Sequence, residues 1–280
     1  MKNVTLNNGV LMPILGYGVY QVPDYEECKK SVLIALENGY RSIDTAQAYY
    51  NEKAVGDAIK ESGIPRDEIF ITTKLWISDY GYEKALKAFD NSLNKMQLDY
   101  VDLYLLHQPF NDVYGSWKAL EKLNKAGKAK AIGVSNFYPD RLVDLLIFNE
   151  ITPAVNQIET HVFNQRTEDQ KVMVENGVQH ESWGPFAEGR SDFFQNETIS
   201  KIGARYGKSV AQVSLRWLIQ RNIVVIPKSV TPSRIAQNID IFDFELTDED
   251  MNAIAQLNTN TSSFFDHRDP ERVKWFGGLK

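Results

Sequence analysis

The chain has 280 residues and a formal charge of −6, which leaves no broad basic face for a phosphate backbone and excludes nucleic acid as an expected partner. Hydrophobic residues make up 43% and charged residues 24%, the balance of a folded body with a substantial core rather than of a disordered chain. Cys28 is the single cysteine, so an intrachain disulfide and a thiolate-rich metal site are both ruled out and a reducing compartment is expected.

The amino-terminal stretch MKNVTLNNGVLMP lacks the apolar core of a signal peptide, and no window reaches the roughly 18 apolar residues of a membrane span. A cytoplasmic protein is expected. Residues 4–6 and 10–14, joined by Asn7-Asn8-Gly9, alternate as a small hairpin and are expected to cover one end of the main body.

From Gly16 onward short apolar strands alternate with amphipathic helices. Strands are predicted at 18–21, 42–45, 69–73, 101–106, 131–134, 155–158, 178–181 and 224–226. Helices are predicted at 25–38, 52–62, 82–96, 113–126, 140–148, 166–175, 210–220 and 233–239, several closed by glycines such as Gly39, Gly127 and Gly177. Eight strands each followed by a helix predict an α/β fold of the (β/α)8, or TIM-barrel, type with the hairpin in front, as one domain over 1–280. A doubly wound sheet would want a glycine-rich loop after its first strand, and Gly16-Tyr17-Gly18 lacks the third glycine and precedes the strand.

In a barrel the carboxyl ends of all strands share one face. The residues predicted there are Asp44, Lys74, His107, Ser135 with Asn136, Asn156 with Gln157, Trp183 and Lys228, a set too polar to be barrel filling. A lysine closing the apolar run IFITTKLW needs an acid, and Asp44 is the natural partner. One histidine beside a lysine is a poor metal site, and no metal is expected. Ser135 has no evident histidine partner and no Gly-x-Ser-x-Gly elbow occurs, so a nucleophilic triad fails as well.

Proton donation to a developing oxyanion remains. Tyr49, on the loop after the second strand, has a hydroxyl whose ordinary pKa near 10 a buried ammonium would lower. Lys74 is that ammonium in this reading, Asp44 keeps it charged, Tyr49 protonates a carbonyl oxygen and His107 donates a second hydrogen bond. The hydride has to come from a cofactor.

Asp44-Thr45-Ala46-Gln47-Ala48-Tyr49 with Asn51-Glu52, Thr73-Lys74-Leu75-Trp76, and Leu106-His107 resemble the catalytic tetrad of the aldo-keto reductase family, in order and across essentially the whole chain. The resemblance implies a (β/α)8 barrel, an NADPH/NADP+ cofactor bound without a Rossmann domain, and reversible reduction of aldehydes and ketones. It further implies that Ser135, Asn136 and Gln157 hold the carboxamide and that Trp183 stacks on the nicotinamide. Gly184 and Phe186 would lie along the cofactor. The segment Lys228-Ser229-Val230-Thr231-Pro232-Ser233-Arg234 would grip the adenosine 2′-phosphate, with Gln237 and Asn238 facing adenine. Independently of the family, Thr231 and Pro232 suit a helix start whose amino end, with Lys228 and Arg234, makes a local anion site.

Two departures stand out. Gly184 replaces the serine common in Trp-Ser-Pro segments, and His161-Val162-Phe163 replaces His-Pro-aromatic. A substrate pocket lined by Tyr20, Trp76, His107, Phe110 and Phe163, with Trp275 and Phe276 from the tail, favours apolar or planar carbonyl compounds. The short tail after Asn260 resembles the bacterial branch acting on glyoxal or 2,5-diketo-D-gluconate, which implies an open pocket. The expected protein is a monomeric reductase of small aldehydes, dicarbonyls or keto sugars, with no obligate protein partner. The alternatives are a cofactor-binding redox sensor with little turnover and a barrel hydrolase or isomerase independent of nicotinamide.

Overall fold

The computed structural model describes residues 2–279, so the two ends of the expected 1–280 domain lie outside the described residues. A hairpin of β1 (Asn3–Thr5) and β2 (Leu11–Pro13) pairs Val4 with Met12 around Gly9, whose φ of +85° a side chain would resist. Asn8 donates to the Lys130 carbonyl and Asn7 to that of Pro153. Both carbonyls lie near the amino ends of barrel strands, so the hairpin covers the end opposite the polar rim.

The main sheet comprises β3 (Tyr17–Gly18), β4 (Ser42–Asp44), β5 (Phe70–Leu75), β6 (Val101–Leu106), β7 (Ala129–Ser135), β8 (Val155–Glu159), β9 (Gln179–Trp183) and β10 (Val224–Val225). All eight are parallel and each neighbours its successor in sequence. A doubly wound sheet would reverse its order in the middle. Hydrogen bonds from Gly16 N to Val225 O (2.8 Å) and from Gly18 N to Pro227 O (3.2 Å) join the first strand region to the last and close the barrel. The two glycines are required there: a Cβ on Gly16 would lie 2.9 Å from Ser42 Oγ, and one on Gly18 2.9 Å from Ile226 O. The glycines that failed as a dinucleotide loop are the seam of the barrel.

Helices α1 (Tyr25–Glu37), α2 (Glu52–Ser62), α3 (Tyr82–Met96), α4 (Val113–Lys125), α5 (Pro139–Phe148), α6 (Thr167–Glu175), α7 (Glu197–Tyr206), α8 (Val210–Gln220), α9 (Pro232–Ile239), α10 (Asp248–Ala255) and α11 (Pro270–Gly278) surround it. Helices α7, α10 and α11 were not expected. Asn196 caps α7 and Gly207 ends it at φ +66°, while Thr247 and Asp250 form a capping box on α10.

Most strand bounds differ from the expected ones by one to three residues, and three of these differences bear on the site. The first strand was expected at 18–21, but Gln21 takes a φ of +62° and Val22 N bonds back to Val19 O, so the chain turns off the barrel and leaves Tyr20 on the rim. Lys74 sits inside β5, paired with Leu105, rather than just beyond its end. Strand β9 runs two residues further than expected, which makes Trp183 its last residue and puts Glu181 on the same face two positions earlier.

Candidate active site

Tyr49 ends a single turn of 3-10 helix, Gln47–Tyr49, held by its neighbours. Thr45 Oγ1 donates to Asn51 Oδ1 (2.7 Å), and Asn51 Nδ2 donates to the carbonyls of Val19 and Val22. Gln47 accepts from Trp76 N and donates to Asp79. The loop is therefore tied to three strand ends at once, which fixes the approach of the phenol.

Lys74 is fully buried, and its Nζ donates to Asp44 Oδ1 (2.5 Å), to the Thr45 carbonyl (3.0 Å) and to Tyr49 Oη (3.3 Å). Burial works against its charge, but Asp44 and then Tyr49 outweigh it and hold the ammonium above its ordinary range. His107 packs edge-on against Tyr49 (ring centroids 5.5 Å apart) and Trp76 (5.1 Å). Its Nδ1 is buried without a partner, and burial, then Lys74 and His267, push its pKa well below 6.5, so the imidazole is neutral. Asp44, Tyr49, Lys74 and His107 thus share one site.

The expected lowering of the Tyr49 pKa does not hold. Burial pushes the phenol up to about 12 even though Lys74 pulls it down, and Asp44 adds to the rise. The reason is first the burial of the hydroxyl, which Lys74, paired with Asp44 at 2.5 Å, offsets only in part. The resting phenol is protonated at neutral pH.

Around this centre Ser135 Oγ donates to Gln157 O (2.8 Å), and Asn136, at a φ of +67°, donates from Nδ2 to the His107 carbonyl (3.1 Å) and accepts from Trp183 Nε1 (2.8 Å). Gln157 Nε2 donates to Asp44 Oδ2 (2.9 Å) and Glu181 Oε2 (3.0 Å). Asn156 points elsewhere, donating to Phe137 O. Gly184, noted above as a departure from Trp-Ser-Pro, has a φ of +61° that favours glycine, and a Cβ there would stand 3.5 Å from Phe264.

The segment before α9 is anchored by Tyr17 Oη to Ser229 O (2.5 Å), and the helix itself by Tyr40 Oη to Ile235 O (3.1 Å). Lys228, Thr231, Arg234 and Gln237 are exposed, Ser229 and Val230 are half-buried, and Asn238 is buried. Thr231 sits at the N-cap, but its side chain makes no capping bond.

Tyr20 packs on Tyr49 at 4.9 Å. Phe276, from α11, is buried against Trp76 (6.2 Å) and Phe110 (5.4 Å), while Trp275 is largely exposed. The tail therefore covers part of the pocket expected to be open. Phe163 belongs to a second aromatic group with Phe193 (5.7 Å), which also packs Phe186 (5.9 Å). In the 161–164 turn, Val162 is buried and His161 exchanges backbone bonds with Asn164.

Residues Glu159, Glu181 and His267 were not expected at the site. Glu159 accepts from His161 Nε2 (2.9 Å), Ser262 Oγ (2.5 Å) and Ser263 N (2.8 Å), fastening the tail. Burial opposes its charge, but these bonds hold the carboxyl below 4.5. Among the described residues no group of three or more His, Cys, Asp or Glu could hold a metal ion, and no helix is long and apolar enough to cross a membrane.

A model of the Aldo/keto reductase family matches residues 15–259. The chain belongs to the aldo/keto reductase family. Glyoxal reductase of Bacillus subtilis (strain 168) is 51% identical over 256 residues, 91% of this chain and 92% of that protein. A solved aldo-keto reductase from a Medee basin deep-sea metagenome library superposes with a TM-score of 0.91 at 46% identity, covering 95% of this chain and 98% of that one. The Bombyx mori aldo-keto reductase, solved in complex with NADP, superposes with a TM-score of 0.90 at 34% identity, covering 94% and 95%. The chain is accordingly an oxidoreductase acting on carbonyl groups.

Proposed function

We propose that this aldo-keto reductase uses NADPH to reduce small aldehydes and ketones, α-dicarbonyls such as glyoxal and methylglyoxal foremost, with Tyr49 as the general acid. The observation that carries the reading is Lys74 Nζ placed between Asp44 Oδ1 and Tyr49 Oη at 2.5 and 3.3 Å. The protonated phenol donates to the carbonyl oxygen as negative charge forms there. Lys74 stabilises the phenolate left behind, and its effect falls on the transition state rather than on the resting tyrosine. Neutral His107 is poised to give a hydrogen bond from its free side to the same oxygen.

NADPH, when bound, supplies the hydride. The donor set fits it: Ser135, Asn136 and Trp183 form a connected polar shelf bonded to the His107 carbonyl, and exposed Lys228 and Arg234 flank the amino end of α9, where amide groups and cations suit a phosphate. The NADP-bound relative supports the same choice. The bacterial glyoxal reductase supports a dicarbonyl substrate, and the wall of Tyr20, Trp76, Phe110 and Phe276 suits a planar carbonyl compound.

The test follows NADPH oxidation by its near-ultraviolet absorbance with glyoxal, methylglyoxal, an aromatic aldehyde and a keto sugar, for wild type and Tyr49→Phe. Turnover in the wild type and a loss of about 100-fold or more in Tyr49→Phe, with NADPH affinity unchanged, is expected. Near-normal turnover in Tyr49→Phe would remove Tyr49 as the acid.

A further inference from the structure

Four side chains from four strands meet inside the barrel beneath the rim: Asp44 from β4, Lys74 from β5, Gln157 from β8 and Glu181 from β9, none more than 2% exposed. Gln157 links the two acids, its Nε2 donating to Asp44 Oδ2 at 2.9 Å and to Glu181 Oε2 at 3.0 Å. The charges do not balance. Two carboxyls face one ammonium, and Lys74 is committed to Asp44 at 2.5 Å, whereas the neighbour of Glu181 is a neutral amide. Fully ionised, the group would hold an uncompensated negative charge away from water, and retaining one proton avoids that cost.

We propose that Glu181 is a positioning residue of the reduction: it carries a proton in the active form, steers the Asp44 carboxylate onto Lys74 through Gln157, and sets the alkaline limit of the reaction when it ionises. The inference rests on Tyr49 being the acid. The titratable groups that face Glu181 are Asp44 from β4 and Lys74 from β5, with Tyr49 beyond Lys74; β8 offers neutral Gln157, and β10, paired to it at Val224, is apolar there. Burial, then the Asp44 charge, pushes the Glu181 carboxyl up to about 8, against the Gln157 hydrogen bond and Lys74.

An ionised Glu181 draws the Gln157 amide away from Asp44 and adds negative potential around Lys74 and Tyr49. The phenol becomes a weaker donor and its phenolate less stabilised, so reduction slows as pH rises through the ionisation of Glu181. Tyr49 itself titrates far higher, at about 12.

The test measures kcat for NADPH-dependent reduction of an aromatic aldehyde between about pH 6 and about pH 10 in wild type, Glu181→Gln and Tyr49→Phe. The glutamine keeps an oxygen for Gln157 to donate to and cannot ionise. Wild-type kcat is expected to fall about fivefold or more across the alkaline limb, while Glu181→Gln stays level. The same limb in Glu181→Gln, or no limb in the wild type, overturns the proposal. Sustained turnover in Tyr49→Phe would instead overturn the assignment of the acid. Should Glu181→Gln fail to fold, infrared difference spectra of the wild type decide: a carboxylic-acid carbonyl band lost between about pH 7 and about pH 9.5 supports the proposal, and its absence overturns it.

Discussion

Asp44 and Lys74 stand on paired strands in the middle of a closed barrel, and their charges are satisfied by one another, by Thr45 and by Gln157. The wall opposite them is built differently: Phe264 and Phe276 come from a tail that returns to the rim and is fastened by side chains, Glu159 to Ser262 and Ser263 and Tyr138 to Asp266. In the first region moving a charge means deforming the sheet, whereas in the second the wall can shift by breaking a few hydrogen bonds. On the proposed reading the rigid barrel interior would serve the proton transfer and the movable tail the choice of substrate.

The largest effect is expected from Lys74→Met. It leaves the Asp44 carboxylate buried without its cation, and denaturant unfolding should register a loss of about 3–5 kcal/mol. Stability within about 1 kcal/mol of wild type would mean that water or another cation compensates Asp44, and the contrast between the regions would blur.

Glu159→Gln should sharpen the contrast. Replacing the carboxylate weakens three bonds to the tail and its neighbour, so KM for an aromatic aldehyde should rise about tenfold while kcat stays within about twofold. The carboxyl is depressed below 4.5, so its contribution is complete at neutral pH and fades as pH falls through that lowered value. Proteolysis of the tail should accelerate only on acidification, and cleavage at equal rates at neutral and acid pH would count against the clasp. Phe276→Ala is expected to do least: kcat/KM for a bulky aromatic aldehyde relative to glyoxal should rise about threefold. A fall in turnover of both substrates alike would place Phe276 with the chemistry instead.

Much of the interior was legible in the sequence. Asp44, Lys74 and His107 are polar residues in otherwise apolar strands, and burial demands partners for them. The barrel could be read from the strand–helix rhythm because each element is long enough to carry its period. Glu181 was hidden because its strand, Gln179–Trp183, is polar almost throughout, so a buried acid does not stand out in it. The net rise of the Tyr49 pKa was also illegible, since it depends first on how deeply the hydroxyl is buried and then on the balance of Lys74 and Asp44 around it. The tail residues Trp275 and Phe276 were expected at the pocket, but helix α11, which carries them, was not. Residues 260–279 have little hydrophobic periodicity, and Phe276 is seated by Trp76 and Phe110, far away in sequence, together with Phe265 and His267 of the tail itself.

The division of labour is tested most directly by single-turnover hydride transfer to glyoxal in Lys74→Met pre-loaded with NADPH, with the affinity for NADPH measured on the same sample. The account predicts a rate at least about 1,000-fold below wild type with NADPH affinity retained, because the ammonium that stabilises the forming phenolate is gone. Transfer within about tenfold of the wild-type rate would contradict it and move the source of catalysis away from the buried Asp44–Lys74–Tyr49 group.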